Sequence, residues 1–392
     1  MKLITTIGTG NYSEALYRLN PSSSDIRTAY FPVAVAQWFK PQSIYVLLTS
    51  TAQNHANWQN CKQELLKHLP ADHIHEVSIP DGKNEAELWQ IFEAITSVVN
   101  EGDELIIDIT HGFRSLPMLA LLAIAYLRQV KGVKLQAILY GAYEARDQDA
   151  IVPVFDLTPF VSLLDWLAAA KIFMATGNGS ELADLMRRAQ AQAHKTGHPQ
   201  PPKQLITLSD AVKAVSENLL TNRVPKIPPA VRELVEVLDD AQTQQEIRQW
   251  LPPLVPLLDQ VKASYAPFAE DTLEAQARLI EWYARHGHAV HAITLAREWL
   301  VSYELEQSGG DKMDVKQREQ ASEALNARAK TNASSLVVLA WRELSGLRND
   351  IAHCGFREGS AKANALQAAA EKAYQDIRAI LMATSGSSGV SV

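Results

Sequence analysis

The hydrophobic pattern of residues 1–160 alternates short apolar runs with amphipathic stretches. A short apolar run bounded by turn residues predicts a buried strand, and apolar residues on one face of a 3.6-residue period predict a helix. This pattern predicts strands at Lys2–Ile7, Arg27–Phe31, Ile44–Leu48, Ile74–Ile79, Leu105–Ile109, Lys134–Tyr140 and Ile151–Phe155, and helices between them, the first from about Ser13. The alternation predicts a mostly parallel sheet with helices on both faces, a Rossmann-like α/β domain whose last two strands form an antiparallel edge.

From about Phe160 the pattern becomes helical and stays so, interrupted by Gly- and Pro-rich turns. The fold class expected is therefore α/β followed by all-α. We predict a ligand-binding domain over residues 1–160, a helical middle region over 161–289, an all-helical domain over 290–384 and a flexible Ser/Gly-rich tail over 385–392.

Composition and charge argue against several classes of protein. The 392 residues are 47% hydrophobic and 21% charged, as in soluble globular proteins, and no run approaches the roughly 18 apolar residues of a membrane span. The N-terminus enters a strand without a signal-peptide layout, and Cys61 and Cys354 suggest neither a disulfide framework nor a zinc ribbon, so we expect a cytoplasmic protein. The net charge of -7 argues against a large sequence-independent duplex-binding surface.

A polar segment ends one of the predicted strands. Residues 104–117 read ELIIDITHGFRSLP, where an Ile-rich run changes at once to Asp108, Thr110, His111, Gly112 and Arg114. Ligands of an open parallel sheet bind beyond the carboxyl ends of its strands. Gly112 lets the backbone approach a ligand, and Arg114 offers a planar fork to a phosphate. The alternative is a plain capped turn with Thr110 as helix cap, His111 packed and Arg114 solvated.

Small or polar residues end three other strands: Gly8, Thr9, Gly10 and Asn11; Thr49, Ser50 and Thr51; and Tyr140. A strand followed by Gly-x-Gly predicts phosphate contact at a helix N-terminus. Gly8, Gly10 and Ser13 do not form the dinucleotide fingerprint, which needs Gly or Ala at the third position. A nicotinamide-dependent enzyme is therefore disfavoured, whereas another phosphate-bearing ligand stays open.

The second candidate site is the segment SGLRNDIAHCGF, which lies between the last two predicted helices. Arg348 and His353 are five residues apart, so on a regular helix their side chains diverge by about 140°. They converge on one ligand only if the helix begins or bends there, or if a second subunit supplies the other half. The pair suits metal-independent RNA cleavage: histidine takes and gives protons near neutral pH, arginine stabilises phosphate charge, and Asn349 could orient either group. A solvated Arg348 and a helix-capping His353 are the alternative.

No metal site is expected. His286, His288 and His291 lie close together in RHGHAVH, but no cysteine accompanies them, and a solvated helix start is the simpler interpretation.

The two candidate sites together resemble a known arrangement. TIGTGNYSEALY at the N-terminus and DITHGFR at 108–114 resemble the CRISPR-associated DxTHG-motif family, whose sensor is the CARF domain. RNDIAH at 348–353 resembles the R-x4-6-H signature of HEPN ribonucleases. The order, sensor first and HEPN last, is similar to that of the Csx-type ancillary ribonucleases of type III CRISPR antiviral defence. The resemblance covers roughly residues 1–160 and 285–385.

The resemblance implies a cyclic-oligoadenylate-activated, metal-independent endoribonuclease that cuts single-stranded RNA into 2′,3′-cyclic phosphate and 5′-OH ends. A CARF homodimer would bind the ring across its twofold axis, cyclic tetra-adenylate as first choice and cyclic hexa-adenylate as second, with no further cofactor. One wall of the ring site would be Gly8, Thr9, Gly10 and Asn11, and another Thr110, His111, Gly112 and Arg114. Sheet position adds Thr49, Ser50, Thr51 and Tyr140. Two HEPN domains would combine their Arg348, Asn349 and His353 in one cleft, and assembly beyond the dimer stays open.

Two alternatives remain from the sequence. The HEPN domain could only dimerise, so that the protein acts by recruiting a partner. The CARF domain could also cleave its own ligand and switch itself off, with Thr9, Thr110 and His111 as the groups available.

Overall fold

The computed structural model describes residues 1–112, 115–148, 150–195, 199–331, 334–356 and 358–387. The chain forms two compact units, Met1–Asp165 and Trp166–Val392. The first is α/β and the second is helical, so the predicted fold class is confirmed. The division of the second unit at residue 289 stays a prediction.

The first unit is built on one eight-stranded sheet in the order β3-β2-β8-β7-β6-β1-β4-β5. Its strands are β1 Lys2–Thr6, β2 Ala15–Arg18, β3 Ile26–Thr28, β4 Ser43–Leu48, β5 Ile74–Ser78, β6 Glu104–Asp108, β7 Lys134–Gly141 and β8 Ile151–Asp156. Strand β1 pairs in parallel with both β4 and β6. Strands β3-β2 and β7-β8 pair antiparallel.

Helices cover both faces of this sheet. They are α1 Phe31–Phe39, α2 Ser50–Gln53, α3 Ala56–Leu65, α4 Glu85–Ser97 and α5 Leu116–Lys131. Successive residues of a strand point to opposite faces, so Leu3 and Ile106 belong to one buried cluster while Ile4 and Ile107 belong to the other. Burial on both sides explains why the central strands read as continuous apolar runs.

Two local predictions in this unit are wrong. The segment from Ser13 is not helical, because residues 15–18 form β2 between β3 and β8. The last two strands do pair antiparallel as expected, but they do not form an edge of the sheet, since β2 adds to β8 on its other side. Four residues are too few for a period to separate a strand from one helical turn.

The second unit is a helical assembly. Its elements are α6 Thr158–Thr176, which begins in the first unit, then α7 Ser180–Lys195, α8 Gln204–Leu220, α9 Ile227–Asp239, α10 Ala241–Trp250, α11 Val255–Tyr265, α12 Leu273–Arg285, α13 Ala289–Ser308, α14 Val315–Lys330, α15 Leu336–Ala352 and α16 Ala363–Ser387. Helix α13 packs on α12, α15 and α16. Trp299 and Trp341 are buried in this core, and the Arg297 guanidinium lies 4.5 Å from the centre of the Trp341 ring.

Two boundaries of this unit differ from expectation. Helix α15 continues to Ala352, so that Arg348 and Asn349 lie inside it rather than between helices. Helix α16 reaches Ser387, three residues into the predicted tail, whereas residues 388–392 lie outside the described part of the chain.

Helix α6 is long and apolar enough, by length and composition alone, to cross a membrane. This differs from the expectation that no segment approaches that limit, although Asp165 and Lys171 interrupt its apolar sequence. Core helices of globular proteins pass the same test, so the finding is weak support for a membrane segment.

Candidate functional site

A cleft opens at the carboxyl ends of β1, β4 and β6. Strand β1 has β4 on one side and β6 on the other, and the loops that follow these three strands leave a crevice. The cleft has a volume of about 560 Å³. Eight of the predicted ligand-binding residues line it: Gly8, Thr9, Gly10, Thr49, Thr51, Thr110, His111 and Gly112.

Asp108 organises the loop after β6. Its side chain is 2% exposed and accepts hydrogen bonds from Thr5 Oγ1 over 2.6 Å and from the Thr110 amide over 2.8 Å. Burial raises the pKa of Asp108 to about 6, against the lowering effect of its hydrogen bonds with Thr5 and Thr110. The Thr110 hydroxyl also accepts a bond from the Gly141 amide over 2.9 Å. Asp108 and the Thr110 hydroxyl therefore fix the loop to the neighbouring strands.

His111 is held as a neutral imidazole. Its Nε2 accepts a hydrogen bond from the Phe31 amide over 3.2 Å, and its ring packs on that of Tyr12 with centroids 4.2 Å apart. Burial lowers the pKa of His111 to about 4. At neutral pH the ring is uncharged, and because Nε2 is the acceptor, the proton resides on Nδ1.

The loop after β1 is held by two side chains that sequence reasoning missed. The Tyr12 hydroxyl accepts a bond from the Gly8 amide over 2.9 Å, and Asn57 Nδ2 donates to the carbonyls of Gly8 and Gly10 over 3.1 and 2.8 Å. Tyr12 lies in the GTGNY motif, which was the only indication in the sequence that it belongs to this loop. Nothing in the sequence links Asn57 to residues almost fifty positions earlier.

Gly112 has a packing role. A Cβ on Gly112 would lie 2.6 Å from Leu116 Cδ2 and 3.2 Å from Leu116 Cβ. A side chain there would clash with the first turn of α5, so glycine keeps the loop close to the helix that follows it.

Three of the remaining predicted ligand contacts are not brought into the cleft. Among the residues that the structure describes, Asn11, Ser50 and Tyr140 do not line it. Ser50 begins α2, and the Tyr140 hydroxyl donates to Glu144 over 3.3 Å. Arg114 lies outside the described residues.

The second candidate site is the exposed end of α15. Arg348 and Asn349 occupy its last turns and His353 is its C-cap residue. All three are exposed. Asn349 and His353, four residues apart, share a face of the helix, while the five-residue step turns Arg348 away from His353 by about 140°. The three side chains are thus exposed to solvent, but they do not converge on a single site within one chain.

Asp350 anchors the turn that follows His353. It is 6% exposed, and its Oδ2 accepts a hydrogen bond from the Ala361 amide over 2.9 Å. Its carbonyl accepts the amides of His353 and Gly355. Cys354 and Gly355 both have positive φ, +52° and +75°, so the chain reverses tightly here. No pattern in the sequence indicated that the buried member of this motif is Asp350.

Within the described ranges, no group of three or more His, Cys, Asp or Glu side chains is placed to hold a metal ion. The rings of His286, His288 and His291 each bond to a main-chain carbonyl, at Trp282, Thr176 and Leu220. They close helix ends and are not simply solvated.

Comparisons with known proteins match the α/β unit and the first part of the helical unit to two different family models. Residues 2–144 match the family described as the CARF domain of the CRISPR system endoribonuclease Csx1. Residues 162–267 match the second domain of CRISPR-associated protein MJ1674. CRISPR-associated protein MJ1674 of Methanocaldococcus jannaschii is 24% identical over 205 residues, which are 51% of this chain and 29% of that protein.

These matches support a Csx-type CARF ancillary protein of CRISPR systems, with residues 2–144 as its CARF domain. The cleft described above therefore lies in its CARF domain, and CARF domains bind cyclic oligoadenylate activators. The chain spans less than a third of the curated relative that it matches. The Arg348–His353 segment lies beyond both matched ranges.

Proposed function

We propose that this Csx-type protein is a ribonuclease switched on by a cyclic oligoadenylate. Ring binding in the CARF cleft would activate metal-independent cleavage of single-stranded RNA by paired Arg348, Asn349 and His353. The observation that carries the proposal is the ordered, solvent-facing end of α15 on a chain whose CARF cleft is already formed.

The cleft suits a ligand with several phosphates and adenine bases. Its described lining contains neither lysine nor arginine, and its exposed residues are Thr9, Gly10, Thr51 and Asp81, whose carboxylate is paired with Lys83. Backbone amides of a glycine loop bind anions without a positive side chain. Arg114, two residues after Gly112 in the sequence, is the residue we propose for direct charge contact with a phosphate.

A second copy of the chain is the proposed partner. Met118, Leu122, Tyr126 and Val130 follow one another at four-residue steps on α5 and are 46–69% exposed. Such a stripe on a helix normally faces a packed neighbour. Because α5 begins directly after the His111–Gly112 loop, pairing two α5 helices across a twofold axis would bring two clefts together. A ring with an even number of repeats, cyclic tetra-adenylate first and cyclic hexa-adenylate second, fits such symmetry.

Pairing of the helical units would complete the catalytic cleft. Arg348 and His353 diverge within one α15, but two α15 ends facing each other can place one chain's arginine beside its partner's histidine. Gly346 lies two turns before His353 on the same face, and a Cβ there would meet nothing within 4 Å. Glycine inside a helix costs roughly 1 kcal/mol relative to alanine. Packing within the chain does not require a glycine at this position. A glycine would, however, allow a second α15 or the substrate to approach the helix backbone closely.

The proposed reaction is attack of a ribose 2′-OH on the adjacent phosphorus. The P–O5′ bond breaks, giving a 2′,3′-cyclic phosphate and a 5′-OH. His353 would take the 2′-OH proton or protonate the leaving oxygen, and Arg348 would stabilise the charge on the phosphate oxygens. Ring binding would favour the active arrangement only to the extent that the ring binds it more tightly.

Cleavage of the ring by the CARF domain is not part of the proposal. The Thr110 hydroxyl is engaged by Gly141, and His111 Nε2 is engaged by Phe31. Two of the three groups considered for that reaction thus have structural roles.

A fluorogenic RNA assay tests the proposal. We expect cleavage to depend on a cyclic oligoadenylate within a panel of cyclic and linear compounds, to continue in EDTA and to leave 2′,3′-cyclic phosphates. Binding of the ring with no cleavage of any RNA would instead support the HEPN domain as a recruiting module.

A further inference from the structure

The most exposed large apolar side chain in the described part of the protein is Phe356, at 90%. It stands three residues after His353, in the turn anchored by Asp350. Exposure of a phenyl ring to this degree costs hydration free energy, and packing within the chain does not explain it. The proposed function, as stated above, does not use this residue.

The turn that carries Phe356 is well defined. The Phe356 amide donates to the His353 carbonyl over 2.9 Å, and the Gly355 amide donates to the Asp350 carbonyl over 3.1 Å. These bonds fix the backbone of Phe356 relative to that of His353. The phenyl ring is therefore presented to solvent from a hydrogen-bonded turn beside the candidate catalytic histidine.

The surroundings of Phe356 are polar. Arg348, Asn349, His353 and Glu358 are exposed near it in the chain. The exposed Leu336 and Leu339 lie at the other end of α15, roughly 20–25 Å away along the helix axis from His353. The core of a protein interface is a cluster of apolar side chains depleted in charge. The surroundings of Phe356 are mixed in charge, and a single aromatic ring near an arginine and an amide is instead typical of sites for single-stranded nucleic acid.

We propose that Phe356 stacks on a base of the single-stranded RNA substrate and so positions the neighbouring phosphodiester at His353. This inference rests on the proposed ribonuclease function. Any base offers a π-face, so the contact gives affinity with little sequence preference. It makes Phe356 a substrate-binding residue, distinct from the groups that move protons.

Replacement of Phe356 in the full-length protein tests the inference. Phe356→Ala and Phe356→Leu should each lower kcat/KM for RNA roughly 5- to 100-fold, mainly through KM, whereas Phe356→Tyr and Phe356→Trp should stay near the parent. Leucine is the decisive variant, because it keeps apolar bulk but has no π-face. Met313→Ala, at another exposed apolar residue of the same unit (68%), should leave kcat/KM unchanged.

Binding measured without cleavage separates this inference from the proposed function. The probe is a single-stranded 2′-O-methyl oligonucleotide, which cannot be cut. Phe356→Ala should weaken binding of this oligonucleotide by a similar factor. The oligonucleotide should also quench the fluorescence of the Phe356→Trp variant. Unchanged affinity in Phe356→Ala, or no binding of the probe by the parent, overturns the stacking role. A fully active His353→Ala variant overturns the ribonuclease mechanism, whatever Phe356 does.

The competing role is a contact between protein copies. Sedimentation equilibrium of Phe356→Ala and Phe356→Leu decides it. We expect the parent's oligomeric state in both. Dissociation in the alanine variant that leucine restores would show that Phe356 contacts protein, and would overturn the proposal.

Discussion

The main-chain amide of Phe31 donates its hydrogen to Nε2 of His111, which joins the start of α1 to the loop after β6. The bond needs a neutral imidazole, and burial lowers the pKa of His111 to about 4. Between that value and its ordinary value near 6.5, the unfolded chain binds more protons at this residue than the folded chain does. His111 therefore makes the protein more stable as the pH rises through this interval.

Asp108, three residues earlier, acts in the opposite direction. Its folded pKa of about 6 lies above its ordinary value of 3.8, so the folded chain binds more protons in the interval between them. Stability from this group falls as the pH rises. The two effects overlap in pH and largely offset each other in the parent protein.

Separate replacement should expose the two opposing effects. Relative to the parent, His111→Gln should lose stability on going from pH 4 to 6.5, and Asp108→Asn should gain it, each by on the order of 3 kcal/mol. The measurement is the free energy of unfolding in urea at both pH values. Comparison with the parent removes the contribution of other groups. If the free energy of unfolding of both variants changes with pH by the same amount as that of the parent, neither side chain has the protonation behaviour described.

Replacement of the motif residues should separate catalysis from sensing. Arg348→Ala and His353→Ala should each reduce RNA cleavage at least about 100-fold while the affinity for the ring stays unchanged, because both side chains are exposed on α15 and support no packing. The measurements are the fluorogenic assay and calorimetric titration of the ring. Arg342→Ala removes a positive charge from the same helix and serves as the control. A His353→Ala variant that cleaves at the parent's rate would contradict the assignment.

Asp350 should affect cleavage through the backbone. Asp350→Ala removes the acceptor of the Ala361 amide and should destabilise the protein by roughly 1–3 kcal/mol. Cleavage should fall as well, because the turn after His353 is then less well held. Asp350→Asn keeps an acceptor oxygen and should lie between parent and alanine in thermal midpoint and in cleavage rate. Equal losses in both variants would point to the charge of Asp350 rather than to the bond.

The apolar stripe of α5 should control assembly. Leu122→Glu and Tyr126→Glu should shift the protein toward half its mass in sedimentation equilibrium and weaken ring binding, because a buried unpaired charge opposes pairing. Leu66→Glu places the same charge on another exposed apolar residue of the first unit and should change neither property. A full-size assembly in both α5 variants would exclude this face as the contact.

The sequence predicted the features that depend on local pattern. Strand-helix alternation specified the parallel sheet, and the change from Ile107 to Asp108 located the end of β6. The convergence of the loops at Gly8, Thr49 and His111 followed from the rule for open sheets. Strand β2 was missed because its four residues carry no usable period.

Other features depend on contacts between distant residues and had no local signal. The packing of Tyr12 on His111 and the bonds of Asn57 to two carbonyls join segments up to a hundred positions apart. The motif residue Asp108 is likewise a buried support, a role that its position at a strand end did not distinguish from ligand contact.

The position of β1 has a consequence for exchange of backbone amides with solvent. Its ladders to β4 and β6 hold together the two sides of the sheet, β4-β5 and β6-β7-β8-β2-β3. A molecule bound across the loops of all three strands would oppose their separation. Occupancy of the cleft should therefore slow deuterium uptake in the interior of all three strands, including amides that no ligand atom touches.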